Sequence, residues 1–213
     1  MRFMTLKMIG LAALLALTGC ASFPGDQVPE TTLPSMASYQ QRPSVYVDFM
    51  FYRGQAGDAN AVEIPQARDQ LKPQLEAALR DSGLFSRYTL DPFQKQKGDY
   101  TLKLAVYNSG NAGAATVSGM ISGFTMMVIP ATAKDEYTMT LQVLGEDGNA
   151  MPIGQNNESV RTWMGLVFIP MMGNTPAEAI NDSFRRQLNA LLKALVERDV
   201  LHYAQGELLL RRG

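Results

Sequence analysis

Cys20 is the one thiol in a chain of 213 residues, which makes it the first candidate for covalent chemistry. A cysteine sulfur can act as a nucleophile, bind a soft metal or carry a covalent modification. A single cysteine allows no disulfide within the chain, so an oxidising compartment would add no cross-link and the fold must rest on a packed core. The residues ahead of Cys20 narrow its chemistry. Arg2 and Lys7 are basic, residues 8–17 form an apolar run, and Leu17-Thr18-Gly19 lead into the cysteine. An apolar run of about ten residues suits an export signal and is too short to span a bilayer.

The phrase Leu17-Thr18-Gly19-Cys20 resembles the lipobox of bacterial lipoproteins. The resemblance implies cleavage before Cys20, lipidation of its sulfur and acylation of the new amino terminus. Residues 1–19 then form a signal peptide. Ala21 stands where lipoproteins retained at the inner membrane usually carry aspartate, so the resemblance implies a lipid-anchored, periplasm-facing place at the outer membrane. One acyl chain binds a membrane only weakly, whereas several together anchor stably.

Other reactive groupings are sparse. His202 is the only histidine, and no Gly-x-Ser-x-Gly elbow, phosphate loop or zinc spacing occurs. Asp135-Glu136 and Glu146-Asp147 are adjacent carboxylates, but neighbours on a strand point to opposite faces and make poor acid–base pairs. Met120, Met126, Met127, Met164, Met171 and Met172 could ligate soft copper. Without further histidines or dense spacing, adaptable apolar packing is the better reading. No enzyme activity, cofactor or metal is expected.

Charge excludes another class. The whole chain has 19 basic and 20 acidic side chains. Removing Arg2 and Lys7 with the signal peptide takes the net charge from −1 to about −3, without the basic stripe that nucleic acid demands.

The elements follow from pattern. Residues 20–43 contain Pro24, Pro29, Pro34 and Pro43 among small polar residues and are expected to be a flexible tether after the lipidated cysteine. A single periplasmic domain is expected over 44–213. Residues 45–52 read as a strand, and Pro65 as the start of a helix carrying Leu71, Leu75, Ala78 and Leu79, capped by Gly83 and kinked or divided at Pro73. Residues 84–90 read as a short strand. Alternation at Tyr100, Leu102, Leu104 and Val106, and again at Tyr137, Met139, Leu141 and Val143, predicts half-buried strands. A hairpin turn at 146–149 leads to a strand near 155–163. Thr175-Pro176-Ala177-Glu178 is a capping box opening a helix to about residue 198, with Ile180, Phe184, Leu188, Leu191, Leu192, Leu195 and Val196 as its apolar stripe. The expected fold is α+β: an antiparallel or mixed sheet with two main helices packed on one face, plus an apolar glycine-rich insertion.

That insertion lies within residues 104–133, which hold no charged side chain. A second apolar stretch, 163–172, ends in the same Ile-Pro pair, Ile169-Pro170 echoing Ile129-Pro130. The two are expected to form neighbouring loops at one sheet edge. A buried hairpin or helix covering the sheet, a membrane-dipping or partner-docking surface, and a spanning helix all compete for the insertion. If these loops are exposed, Phe124, Met126, Met127, Ile129, Trp163, Leu166, Phe168 and Met171 form the interaction surface.

The phrases Ser122-Gly123-Phe124-Thr125…Ile129-Pro130, Asp135-Glu136-Tyr137-Thr138 and Thr162-Trp163…Ile169-Pro170 resemble a group of uncharacterised proteobacterial lipoproteins over about residues 45–198. The element order is also similar to small outer-membrane lipoproteins that assist envelope transport or assembly. The resemblance implies a membrane-anchored interaction or assembly module whose partners are the membrane, through its lipid, and an envelope protein or lipid. A lipid or envelope-fragment binder assisting transport is the alternative. Self-association into a ring is a third.

Overall fold

The structure, a computed structural model, describes residues 19–36, 39–110, 131–145, 149–171, 173–201 and 204–205. It is an α+β fold built on a mixed seven-stranded sheet with two helices. The strands are β1 (Gly19–Pro24), β3 (Ser44–Arg53), β4 (Val62–Glu63), β5 (Arg87–Thr89), β6 (Tyr100–Asn108), β7 (Ala131–Leu144) and β8 (Ala150–Gly165). They run in the order β1-β8-β7-β6-β3-β4, with β5 also pairing β3. β2 (Tyr39–Gln41) and β9 (Ala204–Gln205) form a separate two-stranded ribbon. The helices are α1 (Pro65–Ser82) and α2 (Pro176–Glu197).

The chain divides into two compact units. The first comprises residues 1–26, 110–136 and 158–183; the second comprises 27–109, 137–157 and 184–213. The single domain expected from residue 44 is thus described as two units, and each is taken by itself below.

The second unit owes its shape to alternation. β3 and β6 pair in parallel with Val47 opposite Leu102, Phe49 opposite Leu104 and Phe51 opposite Val106. β6 and β7 pair antiparallel with Leu102 opposite Val143, Leu104 opposite Leu141 and Val106 opposite Met139. Directly opposed residues share a face, so these side chains make one continuous apolar layer, and all of them are buried. Parallel pairing of β3 with β5 and β6 needs a long crossover, which α1 supplies.

Helix α1 lays Leu71, Leu75 and Leu79 into the core, and the Tyr88 hydroxyl donates to its Glu76 carbonyl at 3.1 Å. Gly83 ends it in the left-handed conformation at φ 61°, which glycine adopts without steric cost. Pro73 does not divide this helix: one element runs through it. Pro73 and Asp69, the residue whose carbonyl loses its bond, are both exposed, so water can satisfy that carbonyl.

Helix α2 opens as its capping box predicts. The Thr175 amide donates to Glu178 Oε2 at 3.1 Å, and the Glu178 amide donates to Thr175 Oγ1 at 3.2 Å. Phe184 meets Phe49 edge-on at 6.0 Å between ring centroids. Leu188, Leu191, Leu192 and Leu195 are buried. Since Phe49 and Tyr88 lie on one side of β3 and β5, both helices cover the same face.

Several expected bounds shift. The strand expected at 84–90 contracts to Arg87–Thr89, because Leu84 and Phe85 bury without pairing. β7 and β8 are longer than their alternating cores. The turn at residues 146–148 lies outside the described residues; beside it, the Gly145 amide donates to the Asn149 carbonyl at 3.2 Å.

The largest departure is at the amino-terminal side, where a flexible tether was expected over 20–43. Gly19–Pro24 is a strand paired antiparallel to β8, and Tyr39–Gln41 pairs with β9. Ala21 is fully buried, and Val28 and Met36 are buried as well. Proline-rich composition measures how little apolar surface a segment buries alone. It does not register backbone donors and acceptors waiting on the edge of β8.

Candidate functional site

In the first unit, β1 brings Cys20 to a defined place. Cys20 is exposed and pairs with Met164, while Ala21 pairs with Trp163 and Gly19 with Gly165. Three bonds fasten this strand. Ser22 Oγ lies 2.7 Å from Thr162 Oγ1, the Ser22 amide donates to the Asn174 carbonyl at 2.9 Å, and the Gly25 amide donates to the Ser159 carbonyl at 2.6 Å. The bond to Asn174 folds the chain after residue 171 back against β1 and occupies part of an otherwise open strand edge.

β8 ends at Gly165 and passes into 3-10 helix over Leu166–Met171. The stretch expected as a loop is therefore strand followed by helical turn, since Trp163 and Met164 still have β1 to pair with. The Trp163 and Phe168 rings lie 5.7 Å apart with their planes tilted by 31°. Both are half-buried, and Met171 is 49% exposed. Leu166 lies in the same helical turn. Phe124, Met126, Met127 and Ile129, the other half of the expected surface, lie outside the described residues, as do the glycine-rich insertion and His202. The structure thus brings Cys20, Trp163, Phe168 and Met171 to one end of the β1–β8 pair.

The acidic candidates are not brought into a site. Asp135 and Glu136 are consecutive on β7, and Glu136 Oε1 accepts an ion pair from Lys134 Nζ at 2.7 Å. Among the described residues no three His, Cys, Asp or Glu side chains gather to hold a metal ion, and no helix is long and apolar enough to cross a membrane.

Two features of the second unit were not anticipated. Asp99 is buried and its carboxylate accepts from Ser44 Oγ at 2.6 Å, from Arg87 Nη2 at 2.6 and 2.5 Å, and from the Gln96 amide at 2.7 Å. Burial pushes its pKa up, but the bonds from Ser44, Gln96 and Arg87 and the guanidinium charge outweigh burial and hold it below the ordinary value. This cluster ties the starts of β3, β5 and β6 together. Its four participants are spread over 56 residues of sequence, and no local motif marks them.

The second feature is aromatic. Tyr52 of β3 and Tyr107 of β6 are direct register partners, and their rings stack at 5.1 Å. They lie on the side of the strands opposite the Phe49 layer, together with Tyr46, whose ring lies 5.7 Å from Lys95 Nζ. Burial first, then neighbouring groups including Asp48, raise the pKa values of Tyr46 and Tyr52. The alternation of β3 could have revealed this stripe: its outward positions are Tyr46, Asp48, Met50 and Tyr52.

No family model matches the chain, and no curated protein matches it. Two solved structures are similar. One is a minor lipoprotein from Acinetobacter baumannii, at 12% identity and TM-score 0.37, covering 76% of this chain and 97% of that one. The other is a PelC dodecamer from Paraburkholderia phytofirmans, at 14% identity and TM-score 0.32, covering 82% of this chain and 97% of that one. At these values the likenesses assign neither family nor function.

Proposed function

We propose that this chain is a non-enzymatic interaction or assembly module of the bacterial envelope, anchored by lipid on Cys20 at the periplasmic side of the outer membrane. The observation that carries the reading is the pairing of an exposed cysteine, reached through an export-type leader, with an uncharged aromatic and methionine surface at the same strand end. Aromatic residues and methionine are favoured where proteins meet partners. The expected surface joins Trp163, Leu166, Phe168 and Met171 to Phe124, Met126, Met127 and Ile129.

Two variants test the reading. Cys20→Ser is expected to leave the leader uncleaved at its usual point and to block lipid labelling with radioactive palmitate. Normal processing and an unchanged envelope association in that variant would defeat the anchor. Phe168→Asp is expected to be secreted normally but to lose photo-crosslinking from neighbouring positions to its envelope contact.

A further inference from the structure

The point of lipid attachment is built into the sheet. Ala21, the residue after Cys20, is fully buried, and Ser22 is 2% exposed. Both are locked by the β8 register and by the Ser22 bonds to Thr162 and Asn174. No slack therefore separates the modified sulfur from the folded first unit. A free tether of residues 20–43 would let the unit stand several nanometres away, at about 3 Å per residue. With Cys20 itself in strand, the nearest folded residues lie within about one residue rise, roughly 3.3 Å, of the anchored position.

The residues at that strand end suit such a place. Met164 is the register partner of Cys20, Trp163 lies one step along, and Trp163 packs on Phe168. Met171 is exposed, and the turn after it bonds back to Ser22. Residues 162–177 and 18–25 contain no Asp, Glu, Lys or Arg, so pressing this end into a headgroup layer desolvates no ionised side chain. Tryptophan is the side chain most suited to that layer, with an apolar body and one polar N–H. The chain ahead of β1 argues in the same direction: the apolar run at residues 8–17 stops just before Gly19, so leader and lipid alike deliver this end to a bilayer.

We propose that the β1–β8 end of the first unit is a bilayer-contact surface, with Trp163, Phe168 and Met171 seated in the headgroup layer beside lipidated Cys20. The inference rests on the anchor proposed above and names the occupant of that surface as lipid.

Trp163 is the only tryptophan in the chain, so its fluorescence reports this surface alone. The test uses the lipidated full-length protein in phosphatidylethanolamine–phosphatidylglycerol vesicles, plain or carrying bromine on the upper acyl chain. Brominated vesicles are expected to lower Trp163 emission at least about two-fold, with a shift to shorter wavelength on reconstitution. Met171→Asp, at an exposed position, is expected to weaken the quenching while the protein still floats with the vesicles. A linker of about ten Gly and Ser residues inserted after Cys20 is expected to weaken it too.

Vesicle-bound protein with equal Trp163 emission in plain and brominated lipid would overturn the inference and leave the anchor standing. Shielding of Trp163 by a stoichiometric protein, with no bromine quenching, would overturn it in favour of a protein occupant. Protein that does not float with vesicles at all would remove the anchor and the inference together.

Discussion

The two units bury apolar residues by different rules. In the second, β3, β6 and the later part of β7 alternate, and every second side chain enters one layer under α1 and α2. In the first, the β1–β8 end is uncharged on both of its strands, and its apolar residues range from fully buried Ala21 to half-exposed Met171. Alternation states which face is inside. An uninterrupted apolar run states only that water is disfavoured, and leaves open whether protein or lipid replaces it.

If the contrast is real, damage to the two units should separate stability from attachment. The largest expected effect is in the alternating core. Leu75→Ala empties a fully buried site and should cost about 2–5 kcal/mol in denaturant unfolding without altering membrane association. Equal loss of both would break the comparison.

Asp99 comes next. Its pKa lies below the ordinary carboxylate value near 3.9, so the unfolded chain takes up the proton first as pH falls. The stabilisation is therefore complete above the unfolded value and disappears as pH drops through the lower folded value. Asp99→Asn should lose about 1–3 kcal/mol at neutral pH, and its stability should fall less steeply between pH 5 and 2. Urea titrations across that range measure both. An unchanged acid limb would remove Asp99 as its source.

Thr175→Ala breaks the capping box and should lower stability by about 1 kcal/mol, visible as a modest drop in Tm. Met171→Asp should change stability least, within about 0.5 kcal/mol for an exposed position. A Met171→Asp protein that unfolds like a core mutant would show that this end is packed protein rather than a contact surface.

Much of the second unit was legible because its signals are local. Four strand patterns, Pro65, Gly83 and the Thr175–Glu178 box each act within a few residues, and each has its counterpart in the structure. Gln187 was not legible. It sits in the apolar stripe of α2, yet is buried because its amide nitrogen donates to the Tyr137 carbonyl at 3.0 Å. Nothing near residue 187 announces an acceptor 50 positions away. The Asp99 cluster escaped notice for the same reason.

By itself, the amino-acid order determined the single modifiable sulfur, the uncharged stretches and the periodicities that make an α+β sheet with two helices. Those are properties of composition and near neighbours. Tertiary structure alone decided that residues 19–24 are a strand rather than slack chain, because the pairing edge they use lies about 140 residues further on. It also decided which tyrosines stack and which carboxylate is buried. Such contacts depend on free energies shared between distant segments, and no short stretch of sequence contains both partners.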